Sequence, residues 1–247
     1  MDKVERLQFE DLMHDAFEVL IAVIDDVGAP VYGGKVHSLS PKLSAGRLNP
    51  FLMDAEKHEE LLGAHAMFGD LRGNPCLTSA GIASDWPYGR GCWQSDDKQC
   101  MIWYGEEDQL RIMCMRKWSK LNAVFDRLKA ILDVLESVDG IDFVTSDRYG
   151  YLTSSPANLG TAMRASVHIH VPHLTADGSD AKAKEAIGSL NLSVRGTGDG
   201  AVDISPRARM FITERDIVEM LWKGVQLLAD QEVLAAEEAE AGGEKKA

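Results

Sequence analysis

Apolar residues recur with the period of an amphipathic helix in three parts of the chain. These parts lie at residues 9–24, 121–135 and 217–228, and each predicts a helix. Residues 54–62 are highly charged and predict a further, short helix. Thr213 and Asp216 have the spacing of a capping box, which puts the start of the last helix near residue 213. The end of the chain is rich in acids, so we expect that helix to fray into a mobile, solvated tail over residues 236–247.

Strand patterns lie between these helices. Residues 100–104 and 110–115 flank an acidic turn and predict a hairpin, residues 167–171 alternate apolar residues with His, and residues 190–194 and 201–204 predict a second strand pair. Residues 32–50 are rich in Gly, Ser and Pro and predict a mobile connection. Because the strands are joined by short turns and lie apart from the long helices, the pattern predicts an α+β domain with an antiparallel β-sheet flanked by α-helices.

Composition restricts the class of partner. The chain has 247 residues with 26 Lys and Arg against 39 Asp and Glu, a formal net charge of −13. This balance argues against nucleic acid and anionic membrane surfaces as partners, because both attract basic proteins. The longest aliphatic run, residues 19–24, is too short for membrane insertion. With no secretory signal and no C-x-x-C pair, the four cysteines are expected to be reduced thiols of an intracellular, cytoplasmic-type protein.

Two motifs allow both a chemical and a structural interpretation. His168, His170 and His173 could hold a metal, but Pro172 interrupts the strand and no carboxylate or Cys is adjacent. A solvated strand face is therefore favoured, and no metal site is predicted. Residues 196–200, Gly-Thr-Gly-Asp-Gly, could cradle a phosphate, but they lack the ending of a P-loop, so a flexible hairpin tip is favoured.

Charged residues near the predicted strands also allow two interpretations. The acids at 106–108 could supply a general base, although acidic turns on solvated hairpins are common. Arg111, Arg164 and Arg195 lie in or beside strand-like or Gly-rich segments. Planar guanidinium groups suit phosphate oxygens, so the three could form an anion site. In a chain with many acids they could instead be ion-pair partners, and the residue pattern alone leaves both open.

Four long, non-repetitive stretches carry a more specific signal. They read AGIASDWPYGRG at 80–91, IWYGEEDQLRI at 102–112, YGYLTSSPANLGT at 149–161 followed by RASVHI at 164–169, and VRGTG at 194–198 followed by VDIS at 202–205. Together they resemble the catalytic domain of the phosphagen kinases, the creatine and arginine kinase family. The resemblance implies a fold of the glutamine-synthetase and guanido-kinase type. It also implies reversible phosphoryl transfer between Mg-ATP and a guanidino compound.

The resemblance further implies a role for each candidate residue. The implied catalytic residues are Glu107, Arg111, Arg164 and Arg195; the implied nucleotide-binding residues are His65, Trp103, Arg111, Arg164, Arg195, Thr197, Gly198 and Asp203; and Ser155 and Asn158 would belong to the substrate loop. Glu107 would hold the guanidinium nucleophile, and the arginines would clamp the phosphates. Mg-ATP or Mg-ADP is the implied cosubstrate, and no tightly bound metal or organic cofactor is expected.

Four departures from the family pattern reduce the activity we expect. The family's small helical N-terminal domain is expected to be lacking, and no strand reads S-T-R-x-R. Ser155 stands where the family has a reactive Cys before Pro156, and a hydroxyl cannot supply a thiolate. Only residues 198–201 separate Thr197 from Val202, where the family has a longer mobile loop.

We therefore expect a phosphagen-kinase-like catalytic domain over residues 1–235 whose phosphotransferase activity is impaired in the isolated chain. The alternative is a catalytically inactive pseudokinase, a structural or regulatory subunit that still binds nucleotide. Loss of the S-T-R-x-R strand would uncover a sheet edge, so a protein partner or an oligomer is expected to cover it. Nucleotide and a guanidino compound are the expected ligands, with neither nucleic acid nor membrane insertion.

Overall fold

The computed structural model describes residues 1–23, 28, 30–117 and 120–244. Helices α1 to α6 span Lys3–Ala22, Ala55–Gly63, Pro75–Ser79, Leu121–Glu136, Ala181–Ala186 and Glu214–Glu244. Strands β1 to β9 span Gly34–Ser38, Gly91–Ser95, Cys100–Tyr104, Leu110–Cys114, Thr145–Ser146, Gly150–Tyr151, Val167–His170, Leu192–Gly196 and Ala201–Pro206. The chain divides into two compact units, Met1–Phe143 and Val144–Ala247.

The first unit is built on an antiparallel sheet with the strand order β1-β2-β3-β4. Both faces of the sheet are covered by apolar clusters. Successive residues of a strand point to opposite faces, so neighbouring residues of β3 belong to different clusters. Ile102 and Tyr104 of β3 pack into a cluster with α1 and α4, where Phe17 stacks on Trp93 at 6.3 Å between ring centroids. Met101 belongs to a second cluster, with residues of α2 and of the segment that follows it.

A buried polar cluster joins α1 to this sheet. One Glu10 carboxylate oxygen accepts hydrogen bonds from the Ser38 hydroxyl, from the Asn49 amide at 3.2 Å and from the Tyr104 hydroxyl at 3.2 Å. The Nε2 atom of His14 lies 3.3 Å from the same Tyr104 hydroxyl. Burial raises the pKa of Glu10 and lowers the pKa of His14 to about 4.

The second unit carries an antiparallel sheet of order β7-β9-β8 and the short β5–β6 pair. Helix α6 packs on the larger sheet at Gly224, where a Cβ would crowd the side chains of Leu192 and Ile204. At the start of α6, the Thr213 backbone N–H donates to the Asp216 carboxylate at 2.9 Å, and the Asp216 N–H donates to the Thr213 hydroxyl at 3.1 Å. The capping box predicted from the sequence is therefore present.

The predicted α+β class with antiparallel strands is confirmed. Each predicted helix corresponds to one observed, although Ile24, predicted as the end of the first, lies outside the described residues. The acidic end predicted to be a solvated tail is helical through Glu244, and residues 245–247 are not described.

One prediction about the fold is wrong. Residues 32–50 are not simply a mobile connection, because β1 lies among them and pairs with β2, and Ser38 at its end is fully buried. The sequence of β1, Gly-Lys-Val-His-Ser, has one aliphatic residue and no clear alternation, which is typical of a strand at a sheet edge. Strand β2 was also not predicted; it is buried on both faces and lacks alternation for that reason.

Candidate functional site

The hairpin of β3 and β4 carries the candidate residues of the first unit. Its turn closes through the Gly105 backbone N–H, which donates to the Gln109 carbonyl at 2.9 Å. Gly105 has φ +73°, and a Cβ there would collide with the Gly89 carbonyl oxygen, so the turn requires glycine at this position. Glu107 lies in this turn and is half-buried. Among the described residues its carboxylate has no hydrogen-bond or ion-pair partner.

Arg111 and Trp103 face each other across this hairpin as paired residues of β4 and β3. The guanidinium carbon of Arg111 lies 5.3 Å from the centroid of the Trp103 ring, within the range of a cation–π contact. A guanidinium nitrogen of Arg111 also lies 3.7 Å from a carboxylate oxygen of Glu106. Glu106, rather than Glu107, is therefore the acid that partners Arg111.

Trp103 connects this hairpin to the segment that contains His65. Its indole N–H donates to the Ala66 carbonyl at 2.8 Å, and its ring lies 5.4 Å from that of Phe68. His65 precedes Ala66, has φ +53° and is exposed. The structure therefore puts His65 next to the residue that holds Trp103.

Asp203 is the centre of a charged cluster on the second unit's larger sheet. It lies on the central strand β9, paired with His168 of β7 on one side and with Arg195 of β8 on the other. Its carboxylate oxygens lie 3.3 Å from Nε2 of His168 and 3.4 Å from a guanidinium nitrogen of Arg164. Within the described part of the chain, nothing partners the exposed Arg195 guanidinium. The Asp203 carboxylate thus contacts Arg164 and His168, while Arg195, its pair on β8, keeps its guanidinium available.

Residues 197–200 form the turn between β8 and β9, as the hairpin interpretation predicts. The Thr197 N–H donates to the Ala201 carbonyl at 3.0 Å, and the Gly196 N–H donates to the Asp180 carboxylate at 3.1 Å. Gly198 has φ +85°, which suits its position at the tip. Because two of the amides are already used, the turn is a poor phosphate cradle by itself.

The predicted substrate loop lies elsewhere in the second unit. The Ser155 carbonyl accepts the Thr153 hydroxyl at 2.7 Å and the Asn158 N–H at 3.0 Å, which folds the loop into a short 3₁₀ turn. A guanidinium nitrogen of Arg209 donates to the Ala157 carbonyl at 3.1 Å and fixes the loop from outside. These hydrogen bonds hold the loop to its own backbone and to Arg209.

The three histidines considered for metal binding have different neighbours. His168 faces Asp203, His170 lies beside Gly200, and Nδ1 of His173 lies 2.7 Å from a Glu232 carboxylate oxygen. In the described ranges, no group of three or more His, Cys, Asp or Glu side chains could hold a metal ion. None of the helices described has an apolar stretch long enough to cross a membrane.

Two partnerships of these residues were not predicted from the sequence. The first is the ion pair of Arg111 with Glu106, the neighbour of the predicted catalytic residue Glu107. The second involves His168, which lies on an exposed face as predicted and is opposite Asp203 there because β7 pairs with β9. The alternation of Val and His was a signal that His168 shares a face with other polar residues, but the register with β9 cannot be read from it.

The amino-acid sequence is similar to those of known proteins. A family model described as ATP:guanido phosphotransferase, C-terminal catalytic domain, matches residues 34–235. The testis isozyme of creatine kinase from Oncorhynchus mykiss is 36% identical over 191 residues, which cover 73% of this chain and 49% of that protein. Lombricine kinase from Eisenia fetida is 37% identical over 192 residues, which cover 74% and 51%. The chain spans about half the length of the curated relatives it matches.

The fold is also similar to those of solved kinase structures. A crystal structure of lombricine kinase superposes with a TM-score of 0.75 at 30% identity, covering 98% of this chain and 62% of that one. The duplicated taurocyamine kinase from Schistosoma mansoni, with bound transition state analog components, gives a TM-score of 0.74 at 30% identity. That match covers 94% of this chain and 30% of the other.

Proposed function

The chain belongs to the ATP:guanido phosphotransferase family, and from that premise we propose that it provides the catalytic part of a reversible phosphoryl transfer between Mg-ATP and a guanidino compound. One observation carries the proposal: the Glu107 carboxylate is half-buried in the β3–β4 turn without a described partner, beside strands that carry Arg111 and Trp103. A carboxylate without a described protein partner is available to pair with a cationic substrate.

Glu107 is proposed to bind and orient the guanidinium group. A carboxylate can accept two parallel N–H bonds from that planar fork, and it can take the proton that the nucleophilic nitrogen loses. Glu106 already partners Arg111, so Glu107 stays available for the substrate. Ser155 and Asn158 are proposed to line the guanidino side as the substrate loop.

Arg111, Arg164 and Arg195 are proposed to neutralise the phosphates. Phosphoryl transfer leaves little covalent work to the protein, so catalysis comes from positioning and from charge stabilisation. Asp203 would hold Arg164 in place while Arg195 stays open to an anion. The residues proposed to complete the nucleotide side are His65, Trp103, Thr197 and Gly198. Magnesium would arrive with the nucleotide as part of the substrate.

A coupled assay with Mg-ATP and a panel of guanidines tests this function. The panel is creatine, arginine, lombricine, glycocyamine and taurocyamine. Glu107→Gln should lower turnover by roughly 10²-fold or more, because it removes both the charge and the proton acceptor. Glu59→Gln on the exposed part of α2 is the matched control and should leave turnover unchanged. Turnover that survives Glu107→Gln would contradict the role given to Glu107.

A second candidate function is nucleotide binding without turnover, in a structural or regulatory subunit. It is favoured by the short β8–β9 turn, which the Thr197–Ala201 hydrogen bond closes, and by the hydroxyl of Ser155 in place of a thiol. Under this candidate, Mg-ADP raises the thermal midpoint while no guanidine supports turnover. Absence of both the thermal shift and turnover would exclude both functions.

We further propose that the edges of the first sheet receive a protein partner or a second copy of the chain, in an intracellular setting. β1 and β4 are the edge strands, and the described residues give β4 a paired neighbour only in β3. Unpaired strand edges invite association. Four cysteines without a disulfide support the intracellular setting. Light scattering that finds only monomer, together with an empty native pull-down, would contradict the partner.

A further inference from the structure

Two cysteines face each other on β3 and β4, at the end of the hairpin away from the Glu107 turn. Cys100 and Cys114 are paired residues, and their sulfur atoms lie 3.2 Å apart. The Met115 N–H donates to the Gln99 carbonyl at 2.8 Å, so Cys100 and Cys114, one step further, form a non-hydrogen-bonded pair. In such pairs the Cα atoms lie about 4.5 Å apart, inside the range of about 4.4–6.8 Å that disulfides require.

The two thiols have different environments. Cys100 is fully buried, whereas Cys114 is half-buried and can be reached from solvent. The contact between the two sulfur atoms lowers the pKa of Cys114 and, together with burial, raises the pKa of Cys100. The positive charge of Arg127, which pairs with Asp97 at 2.7 Å, also lowers the pKa of Cys114, while burial and the Asp97 carboxylate raise it.

We propose that Cys100 and Cys114 are a redox pair that closes to an intramolecular disulfide by exchange with a low-molecular-weight disulfide of the glutathione type. The Cys114 thiolate attacks one sulfur of the small disulfide and displaces one small thiolate, which leaves a mixed disulfide on Cys114. Cys100 then gives its proton to solvent, and its sulfur attacks the Cys114 sulfur and displaces the second small thiolate. The protein loses two electrons and two protons, and the small disulfide is reduced to two thiols.

The bond would join the two strands that carry Trp103 and Arg111. It needs the sulfur atoms to approach from 3.2 Å to about 2.05 Å, which side-chain rotation can supply without a change of strand register. A crosslink at this end restricts opening of the hairpin in the unfolded chain, so the oxidised protein should melt at a higher temperature.

The other two cysteines serve as internal controls. Cys76 is exposed, and Cys92 is buried, with a pKa that burial raises to about 12. The structure describes no second thiol beside either of them. Exposure alone therefore predicts that Cys76 reacts first, whereas the proposal predicts that the disulfide forms between Cys100 and Cys114.

Disulfide mapping of the full folded chain tests the proposal. The protein is equilibrated with excess oxidised glutathione, the remaining thiols are alkylated, and the peptides are analysed by mass spectrometry. We expect a crosslink between the Cys100 and Cys114 peptides that dithiothreitol reverses, unchanged in Cys76→Ser and lost in Cys114→Ser. Because Cys114→Ser could alter the fold, stoichiometric capture of phenylarsine oxide by the wild type and by Cys76→Ser is a second measurement.

Each result of these two measurements either supports or overturns the redox pair. A crosslink between Cys100 and Cys114, or one-to-one capture of the arsenical that Cys76→Ser retains, supports the redox pair. Glutathione found on Cys76 while Cys100 and Cys114 remain open to alkylation overturns it, and so does a mixed disulfide that stops at Cys114. Neither measurement depends on nucleotide or guanidine binding, so the proposed function can fail without affecting this result.

Discussion

Arg111 lies over the ring face of Trp103, 5.3 Å from the centroid, while the edge of the same indole donates its N–H to the Ala66 carbonyl at 2.8 Å. The ring therefore supports the guanidinium with its face and is itself fixed through its edge. A planar cation stacked in this way loses little freedom when it binds an anion. The position of Arg111 therefore depends on the hydrogen bond between the Trp103 indole and the Ala66 carbonyl.

Trp103→Phe tests this dependence. The phenyl ring keeps a face for Arg111 but leaves the half-buried Ala66 carbonyl without its donor, so we expect a loss of about 1–2 kcal/mol in the free energy of unfolding. Urea unfolding measures this loss. Mg-ADP binding should weaken as well, and an unchanged binding constant in a destabilised variant would show that the indole edge does not position Arg111.

Arg195→Ala separates binding from stability. Because no described residue partners this guanidinium, its removal should change the free energy of unfolding by less than about 0.5 kcal/mol. Loss of a charge-assisted bond to phosphate should weaken Mg-ADP binding roughly tenfold to a hundredfold, as calorimetry would measure. Arg215→Ala on α6, where Arg215 pairs with Glu219, is the control and should leave binding unchanged.

Gly105→Ala and Gly198→Ala form a matched pair at two hairpin turns. Both glycines have positive φ, but a Cβ at Gly105 would collide with the Gly89 carbonyl, whereas a Cβ at Gly198 would meet nothing within 4 Å. We expect Gly198→Ala to cost about 1 kcal/mol from backbone strain alone and Gly105→Ala about 3 kcal/mol or more. Thermal and urea unfolding would measure both, and equal costs would contradict the role of the collision.

His14 should make the protein less stable in mild acid. Its pKa is lowered to about 4 by burial, while an unfolded chain has a histidine pKa of about 6.5. As the pH falls between these values the unfolded state takes up a proton and the folded state does not, so stability is lost, by roughly 3 kcal/mol in all.

His14→Gln should flatten this pH dependence, and His170→Gln, at an exposed position of β7, should not. Burial raises the pKa of Glu10, so the folded state keeps a proton that the unfolded state releases as the pH rises. Glu10 therefore lowers the free energy of unfolding with rising pH, whereas His14 raises it. The measurement is therefore the difference in free energy of unfolding between the wild type and His14→Gln from pH 7 to pH 4. A constant difference would contradict the prediction.

The β3–β4 hairpin could be predicted from the sequence because its signals are local. Gly105 and the acids after it interrupt two short apolar runs, and both runs proved to be strands within one residue of the predicted limits. Strand β1 could not be found in this way, since Val36 is its only aliphatic residue and its pairing with β2 is decided by distant parts of the chain.

The partners of the candidate residues were harder to predict than their positions. That Asp203 is in contact with Arg164 and His168 follows from the register of β7 on β9, and register depends on packing and turn geometry across the whole sheet. That Glu106 pairs with Arg111 while Glu107 does not is decided by side-chain direction at a turn, which the order of residues leaves open.

Helix α1 bears on how the domain should be produced. The family match begins at residue 34, yet Phe17 and Leu20 before that point are fully buried, and Phe17 stacks on Trp93 of β2. A recombinant fragment that starts at residue 34 would expose the apolar rings of the sheet. It would also leave the buried Tyr104 hydroxyl without its hydrogen-bond acceptor, the Glu10 carboxylate. Such a fragment is expected to precipitate, so the upstream boundary for expression has to include Asp2, which caps α1.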